Sequence, residues 1–244
     1  SQLFEDSLPP EGAFVPPFRI ELVPNAAPLT TRFRRVSPPV AALVEREVQD
    51  LLQAGIIEPT HASFVAPTLL VPKGTSSELR LCIDYKQLNE VTKDFLHPLA
   101  DPRSLVESLA GHKFFATLDL RQGFYQILMD PASSELTAFM TSTGMFKFRR
   151  LPFGVKNGPR YFQFVMTQVL RPLLGKACLV FIDDIVVFGN TFASFRANLE
   201  AVFKLLEAAN LRLKRSKCVL LASRIEYLGY IVDGSGISLS DERK

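Results

Sequence analysis

The chain has 244 residues, 47% hydrophobic and 22% charged, with a formal net charge of +3. This composition excludes a disordered chain and supplies a sizeable core, in a length between one and two ordinary domains. The small basic surplus permits contact with nucleic acid without demanding it.

No apolar run approaches the roughly 18 residues of a membrane span, and no signal-peptide pattern opens the chain, so no membrane association is expected. Cys82, Cys178 and Cys218 are too scattered for a metal motif, and their odd number argues against a disulfide framework. A reducing, intracellular setting is expected. A chain that opens on Ser reads as a piece of something larger.

Residues 1–40 carry eight of the 17 prolines, which predicts an extended N-terminal segment over 1–36. Ser37-Pro38-Pro39 reads as a helix start with Ser37 as N-cap. Leu43, Val44, Val48, Leu51 and Leu52 follow at helical spacing, and Gly55 is the stop. Residues 68–71 and 79–83 are short apolar runs around the turn signal 74–77, a predicted hairpin. Asp101-Pro102 starts a helix through Leu105, Val106 and Leu109 that ends at Gly111.

Residues 113–120 read as a strand that finishes on Asp119. Two short strands are expected around Gly144 within 139–148. Gly158-Pro159 opens a helix with Tyr161, Phe162, Val165, Met166, Val169 and Leu170 on one face. Residues 178–188 form an apolar hairpin interrupted only by Asp183-Asp184, placed at its turn. A helix over 191–209 follows, with Asn210 as its cap. Strands near 217–221 and 225–232 precede a turn over 233–236. Strands and helices mix without regular βαβ alternation, so the fold class is α+β.

The chemistry concentrates at Asp183-Asp184. Adjacent carboxylates in an apolar hairpin repel each other and lose hydration, and a divalent cation would offset both costs. Hard oxygen ligands suit Mg²⁺, which takes one or two carboxylates together with substrate phosphates. Asp119, at the end of another apolar strand, is the natural third ligand. Three such carboxylates can hold two ions about 3.5–4 Å apart, the arrangement for in-line phosphoryl transfer. Taken alone, however, Asp-Asp is equally a polar turn, because Asp favours turns.

The surrounding text carries a resemblance. Leu118-Asp119-Leu120-Arg121-Gln122-Gly123-Phe124-Tyr125-Gln126-Ile127 resembles the first catalytic motif of gypsy-type LTR-retroelement reverse transcriptases. Phe139, Gly144-Met145-Phe146-Lys147-Phe148 and Leu151-Pro152-Phe153-Gly154-Val155-Lys156-Asn157 resemble the next block, and Phe181-Ile182-Asp183-Asp184 the active-site hairpin. Arg80-Leu81-Cys82-Ile83-Asp84-Tyr85-Lys86-Gln87-Leu88-Asn89 resembles the fingers motif; Lys217-Cys218 and Tyr227-Leu228-Gly229-Tyr230 resemble the later palm motif and primer grip. Six blocks in the family's order cover roughly residues 35–235.

The resemblance implies a right-hand polymerase fold: an antiparallel palm sheet backed by helices, with a fingers subdomain. Fingers with part of the palm are expected over 37–112, and palm over 113–244 with a fingers insertion around 130–155. The thumb, connection and RNase H regions of family members are expected to lie outside this chain. The implied activity is RNA- and DNA-directed DNA polymerisation from a primer 3′-hydroxyl, as part of a Pol polyprotein. Asp119, Asp183 and Asp184 would bind two Mg²⁺ ions (Mn²⁺ substituting), with the carbonyl of Leu120 completing a shell. One ion would lower the pKa of the 3′-hydroxyl and the other would stabilise the pyrophosphate. Lys73 and Arg80 would contact the triphosphate, Arg through its planar fork. Phe124 would exclude a 2′-hydroxyl, Pro152, Phe153 and Gly154 would line the nucleotide and template side, and Lys217 would protonate the leaving pyrophosphate.

Partners implied are an RNA/DNA template–primer duplex, dNTPs and the downstream polyprotein regions, and a dimer is compatible with them. The implied location is the cytoplasm, within retroelement particles, or the nucleus. Phe181 stands where many relatives have Tyr, Gly158-Pro159-Arg160-Tyr161 replaces a more usual small-residue stretch, and Ala62-Ser63-Phe64 replaces a Ser-Pro-aromatic; no metal ligand is lost. Two rivals remain at this point: a non-catalytic retroelement-derived module that binds nucleic acid or protein, and another palm-type polymerase. His61, His97 and His112 read as structural or surface residues.

Overall fold

The structure is a computed structural model that describes residues 2–26, 37–72 and 79–240. Its elements in chain order are α1 (Pro38–Gln53), β1 (Ile57–Pro59), β2 (Thr68–Pro72), β3 (Leu79–Ile83), α2 (Lys86–Glu90), α3 (Pro102–Glu107), β4 (Phe114–Asp119), α4 (Pro131–Glu135), β5 (Phe139–Met140) and β6 (Met145–Phe148). They continue with α5 (Gly158–Leu170), β7 (Cys178–Phe181), β8 (Asp184–Gly189), α6 (Phe192–Ala208), β9 (Val219–Ala222), β10 (Arg224–Tyr227), β11 (Tyr230–Asp233) and β12 (Gly236–Leu239). The fold class is α+β, as expected.

Two compact units share these elements. The first takes Ser1–Val15, Leu96–Gly123 and Pro159–Lys244, and the second Pro16–Phe95 and Phe124–Gly158. These divisions do not coincide with the expected boundaries at 36/37 and 112/113. The N-terminal segment is itself divided between the two units, at Val15/Pro16.

The first unit is built on a four-stranded antiparallel sheet in the order β7-β8-β4-β9. Strand β8 is buried from Ile185 to Gly189, so it reads as a continuous apolar run rather than an alternation. Its core joins Phe115, Leu179, Val186 and Phe188 to Val106 of α3, to Leu109 just beyond that helix, and to Ile225, Tyr227 and Val232 of a second sheet, β10-β11-β12. Helix α5 contributes Phe162, Met166 and Leu170, and α6 contributes Phe195, Val202 and Leu206. Thr191 and Ser194 form a reciprocal capping box at the start of α6, and Asp101 caps α3 by accepting from the Ser104 amide. The N-terminal residues lie along this unit: Leu3 is buried and its carbonyl accepts from the Leu213 amide at 2.7 Å.

The second unit holds the three-stranded sheet β1-β6-β5 and the hairpin β2-β3. Its core is aromatic, with the Phe139 ring 5.9 Å from Phe146 and 5.5 Å from Phe148. Arg150 is buried in this unit, donating to the carbonyls of Tyr125 at 2.8 Å and Gly55 at 3.4 Å.

Several local expectations are corrected. Residues 225–232 are not one strand but the hairpin β10-β11, which reverses at Leu228 (φ 52°) and Gly229 (φ 77°). The segment 215–217 is a 3₁₀ turn, so strand β9 starts at Val219. Ser37 has extended backbone at the start of α1, but its side chain makes no capping bond. Ala209 is the cap of α6, and Asn210 follows it with φ 55°. Helices α2 and α4 were not anticipated. The expected turn over 74–77 lies outside the described residues.

The passage from β8 into α6 is close-packed. A Cβ on Gly189 would lie 2.7 Å from both N and Cα of Phe195, which are backbone atoms that cannot rotate away. Gly189→Ala is expected to destabilise the chain by about 1–3 kcal/mol or more, as overpacking does. Denaturant unfolding of the two proteins checks this, and an unchanged midpoint would contradict the packing described.

Candidate active site

Strand β4 runs Phe114–Asp119 and β8 runs Asp184–Gly189, and their register sets Asp119 directly opposite Asp184. The apolar residues behind them, Phe115, Leu118, Ile185, Val186 and Val187, are buried. The two-residue turn between β7 and β8 sets the register of that hairpin. Asp184 therefore begins a strand, which corrects the expectation that both aspartates form the turn. The turn consists of Ile182 and Asp183.

Ile182 has φ +57°, a conformation that costs a β-branched residue roughly 1–2 kcal/mol. It is held there by Gln163 of α5. The Gln163 Oε1 accepts from the Ile182 amide at 2.6 Å, and its Nε2 donates to the Val180 carbonyl at 3.3 Å. Gln163 is 4% exposed, so this amide is a buried latch between helix and hairpin. In the sequence Gln163 stands beside the apolar face of α5 and carries no motif of its own. A polar residue beside an apolar stripe is the available signal.

Asp119 is held on its other side. Its Oδ2 pairs with Lys217 Nζ at 3.2 Å, its carbonyl accepts from the Lys214 amide at 2.9 Å, and its amide donates to Cys218 Sγ at 3.4 Å. Leu120 is buried and forms a bridge with Leu213; the bonds of that bridge run from Lys214 to the Asp119 carbonyl and from Arg121 to the Arg212 carbonyl.

Asp183 and Asp184 are exposed in area, yet the Asp184 carboxyl is crowded. Partial burial against the hairpin flank, then the charges of Asp183 and Asp119, raise its pKa above the ordinary value, while Lys217 opposes the rise. A cleft of about 180 Å³ is lined by Asp119, Asp184, Lys217, Glu226, Tyr227 and Leu228. The Tyr227 hydroxyl is buried without a hydrogen-bond partner, and burial together with Asp184 pushes its pKa up.

The donor set fits a hard divalent cation: oxygen ligands and negative charge that, among the residues lining the cleft, the Lys217 ammonium alone opposes. Among the described residues, no three His, Cys, Asp or Glu side chains are already gathered into a metal-holding cluster, and Asp119 faces Lys217 instead.

Other expected site residues belong to the second unit. Arg80 lies in β3 opposite Val71, and Lys73 lies outside the described residues. Phe124 is 8% exposed, and its ring stacks on that of Phe153 at 5.0 Å and 14°. Phe153 is 56% exposed, Pro152 is buried, and Gly154 has φ +89°, a conformation that favours glycine. Two asparagines that the sequence did not single out for a role hold this loop. Asn89 donates to the Gly154 carbonyl at 2.9 Å and accepts from the Lys156 amide at 2.8 Å. Asn157 accepts from the Phe95 amide and donates to the Lys93 carbonyl. Gly154 and Lys156 also line a cleft of about 540 Å³ with Ile83, Asp84, Tyr85 and Asn89.

The α+β architecture, with an antiparallel sheet presenting acidic residues at the ends of paired strands, is that of a reverse-transcriptase palm and fingers. It aligns with the foamy viral protease–reverse transcriptase solved in complex with RNA/DNA hybrid, at a TM-score of 0.84 and 25% identity, over 95% of this chain and 31% of that one. The family model described as reverse transcriptase (RNA-dependent DNA polymerase) matches residues 71–232, and the chain belongs to that family. It is similar to the retrovirus-related Pol polyprotein from transposon opus of Drosophila melanogaster, 40% identical over 205 residues, covering 82% of this chain and 20% of the relative. The polyprotein from transposon gypsy of the same organism is 35% identical over 209 residues, covering 84% and 20%. The chain thus spans about a fifth of the length of these curated relatives.

The electrostatics carry a stability prediction. Asp184 binds its proton more tightly in the folded than in the unfolded chain, so its ionisation works against folding at neutral pH, and this penalty fades as pH falls through the raised pKa. Asp184→Asn should therefore raise the metal-free melting temperature at pH 7 by about 1–3 °C, with the advantage shrinking toward pH 4. Calorimetry at the two pH values checks this, and a lower melting temperature at pH 7 would contradict it.

Proposed function

We propose that this chain is the polymerase core of a gypsy-type retroelement Pol polyprotein, adding dNTPs to a primer 3′-hydroxyl on an RNA or DNA template. The observation that carries this reading is the opposition of Asp119 and Asp184 across β4 and β8, with Asp183 at the adjoining turn. Membership of the reverse transcriptase family supports it. Asp119, Asp183 and Asp184 would hold two divalent cations, Mg²⁺ with Mn²⁺ as a substitute, and the Leu120 carbonyl would complete a shell. When bound, such ions supply activation of the attacking hydroxyl and charge stabilisation of the leaving group.

The chain's own residues do the rest. Lys73 and Arg80 bind the triphosphate oxygens. Lys217, now on Asp119, carries the ammonium that would give a proton to the leaving pyrophosphate from Nζ. Pro152, Phe153 and Gly154 line the nucleotide and template side, on the loop that Asn89 braces. Phe124 acts as the barrier to a 2′-hydroxyl, with Phe153 stacked on it to keep the ring in place. Template–primer duplex and dNTPs are the partners, with the downstream thumb, connection and RNase H regions holding the duplex. The work is done in the cytoplasm within retroelement particles, or in the nucleus.

Primer extension tests the reading. The native chain, given a primed RNA template, dNTPs and Mg²⁺, should extend the primer, and Asp183→Asn should lower the rate by about 10³-fold or more, as loss of a main electrostatic contributor does. Extension by the variant at the native rate would end the proposal. If neither protein extends, the downstream regions are added back; failure there too leaves a binding module as the function.

The sugar barrier has a separate test. Phe124→Val keeps part of the buried packing and should raise rNTP incorporation relative to dNTP by about 10–100-fold, since the clash that rejects the 2′-hydroxyl is removed. An unchanged rNTP/dNTP ratio in single-nucleotide addition would remove Phe124 from this role.

A further inference from the structure

Strand β4 has a complete neighbour in β8 but an interrupted one in β9. Thr117 pairs with Val219, and Leu120 next bridges to Leu213. The two pairs are three residues apart on β4 and six apart on the facing chain. The excess is taken up by the 3₁₀ turn Arg215–Lys217, which leaves the ladder opposite Asp119. A strand residue facing such a bulge loses its backbone partner. Among the described residues the Asp119 amide bonds a sulfur in place of a ladder carbonyl, and an unmet amide in a sheet would be costly.

Cys218, the residue between the turn and β9, fills that place with its side chain. Its Sγ accepts from the Asp119 amide at 3.4 Å and lies 3.8 Å from the Asp119 carbonyl, to which the thiol can donate. The neighbouring Lys214 amide bonds the same carbonyl at 2.9 Å. Sulfur is a weak acceptor, but its long bond to Cβ and large radius reach across a gap that a shorter side chain would leave open.

We propose that Cys218 is a positioning residue for Asp119. Its thiol replaces the missing ladder partner and so sets where the carboxylate stands to receive a cation. This rests on the reading of Asp119 as a metal ligand in the proposed polymerase. It adds a residue that acts through backbone geometry, without touching metal or substrate itself. Residues that orient a ligand in this way commonly change metal affinity or turnover by about 10–100-fold, and a thiol contact belongs at the low end.

Three variants of this chain separate the bond from mere packing. Cys218→Val keeps the volume and removes both hydrogen-bonding roles; Cys218→Ser keeps the roles on a shorter arm; Cys82→Ala controls for thiol loss elsewhere. Three quantities are read: hydrogen exchange of the Asp119 amide by NMR, Mn²⁺ affinity by electron paramagnetic resonance, and the split between kcat and KM for dNTP. Cys218→Val should speed exchange at Asp119, weaken Mn²⁺ binding by about tenfold and lower kcat with little change in KM, and Cys218→Ser should recover part of each. Unchanged exchange and unchanged Mn²⁺ affinity in Cys218→Val would overturn the inference. If the native chain binds no Mn²⁺, the metal reading of the site falls on its own, and Asp119 exchange still decides whether Cys218 holds that backbone.

Discussion

The structure around the candidate site depends on one electrostatic constraint. Asp119 and Asp184 are held opposite each other at the end of two paired strands, with Asp183 next to them. Left to themselves, like charges at this separation would splay the strand ends or take up protons. The rest of the first unit resists both. Behind the carboxylates the strands are fixed by an apolar core in which Phe115, Val186 and Val187 have no measurable exposure. Ahead of them the hairpin turn is latched by Gln163, and the far side of β4 is held by the 212–218 segment. A site whose charges repel needs a rigid scaffold, and strands meet that need better than loops.

The second unit meets a different demand. Its candidate residues, Pro152, Phe153 and Gly154, sit on a loop, where backbone polar groups have no ladder to satisfy them. Asn89 supplies partners to Gly154 and Lys156, and Asn157, at the end of the loop, ties it to the backbone of Phe95 and Lys93, each amide bonding through both its oxygen and its nitrogen. Such an amide mimics a length of strand edge, and it lets the loop keep a fixed path while Phe153 remains exposed. Phe124 is placed by ring contact with Phe153 and by its carbonyl, which accepts from the Ile127 amide at 3.1 Å.

Much of this was legible in the sequence, for physical reasons that differ by element. Strand β4, the β7-β8 hairpin and helices α5 and α6 announced themselves because their apolar periodicity is strong and their ends carry Asp, Gly or Thr. The three aspartates stood out because carboxylates are rare in apolar strands, although it took the family resemblance to raise them above a polar turn. The β10-β11 hairpin did not show, because Ile225, Tyr227, Leu228, Tyr230 and Val232 make an almost unbroken apolar run. Its turn relies on Leu228 in a left-handed conformation that few would expect of Leu. Asp favours turns, so the sequence alone places Asp184 in one, and cross-strand pairing with Asp119 overrides that preference. Gln163, Asn89 and Cys218 act on residues distant in the chain, and no local pattern reports such contacts.

The Lys217 contact shows how the site can be stable in one charge state and ready for another. Lys217 bonds the Asp119 carboxylate at 3.2 Å from the same bulge that carries Cys218. Its side chain is 58% exposed and that of Asp119 31%, so the pair lies largely in water and is worth no more than about 1 kcal/mol. That is enough to reduce repulsion among the three carboxylates and too little to hold Asp119 against a divalent cation. The backbone of Asp119 is fixed by hydrogen bonds that do not involve its charge, whereas among the described residues the carboxylate is held by one weak, exchangeable partner. Position and occupancy are thereby separated: the strand bulge sets where the oxygen atoms are, and the solvent-exposed ammonium leaves them open to exchange.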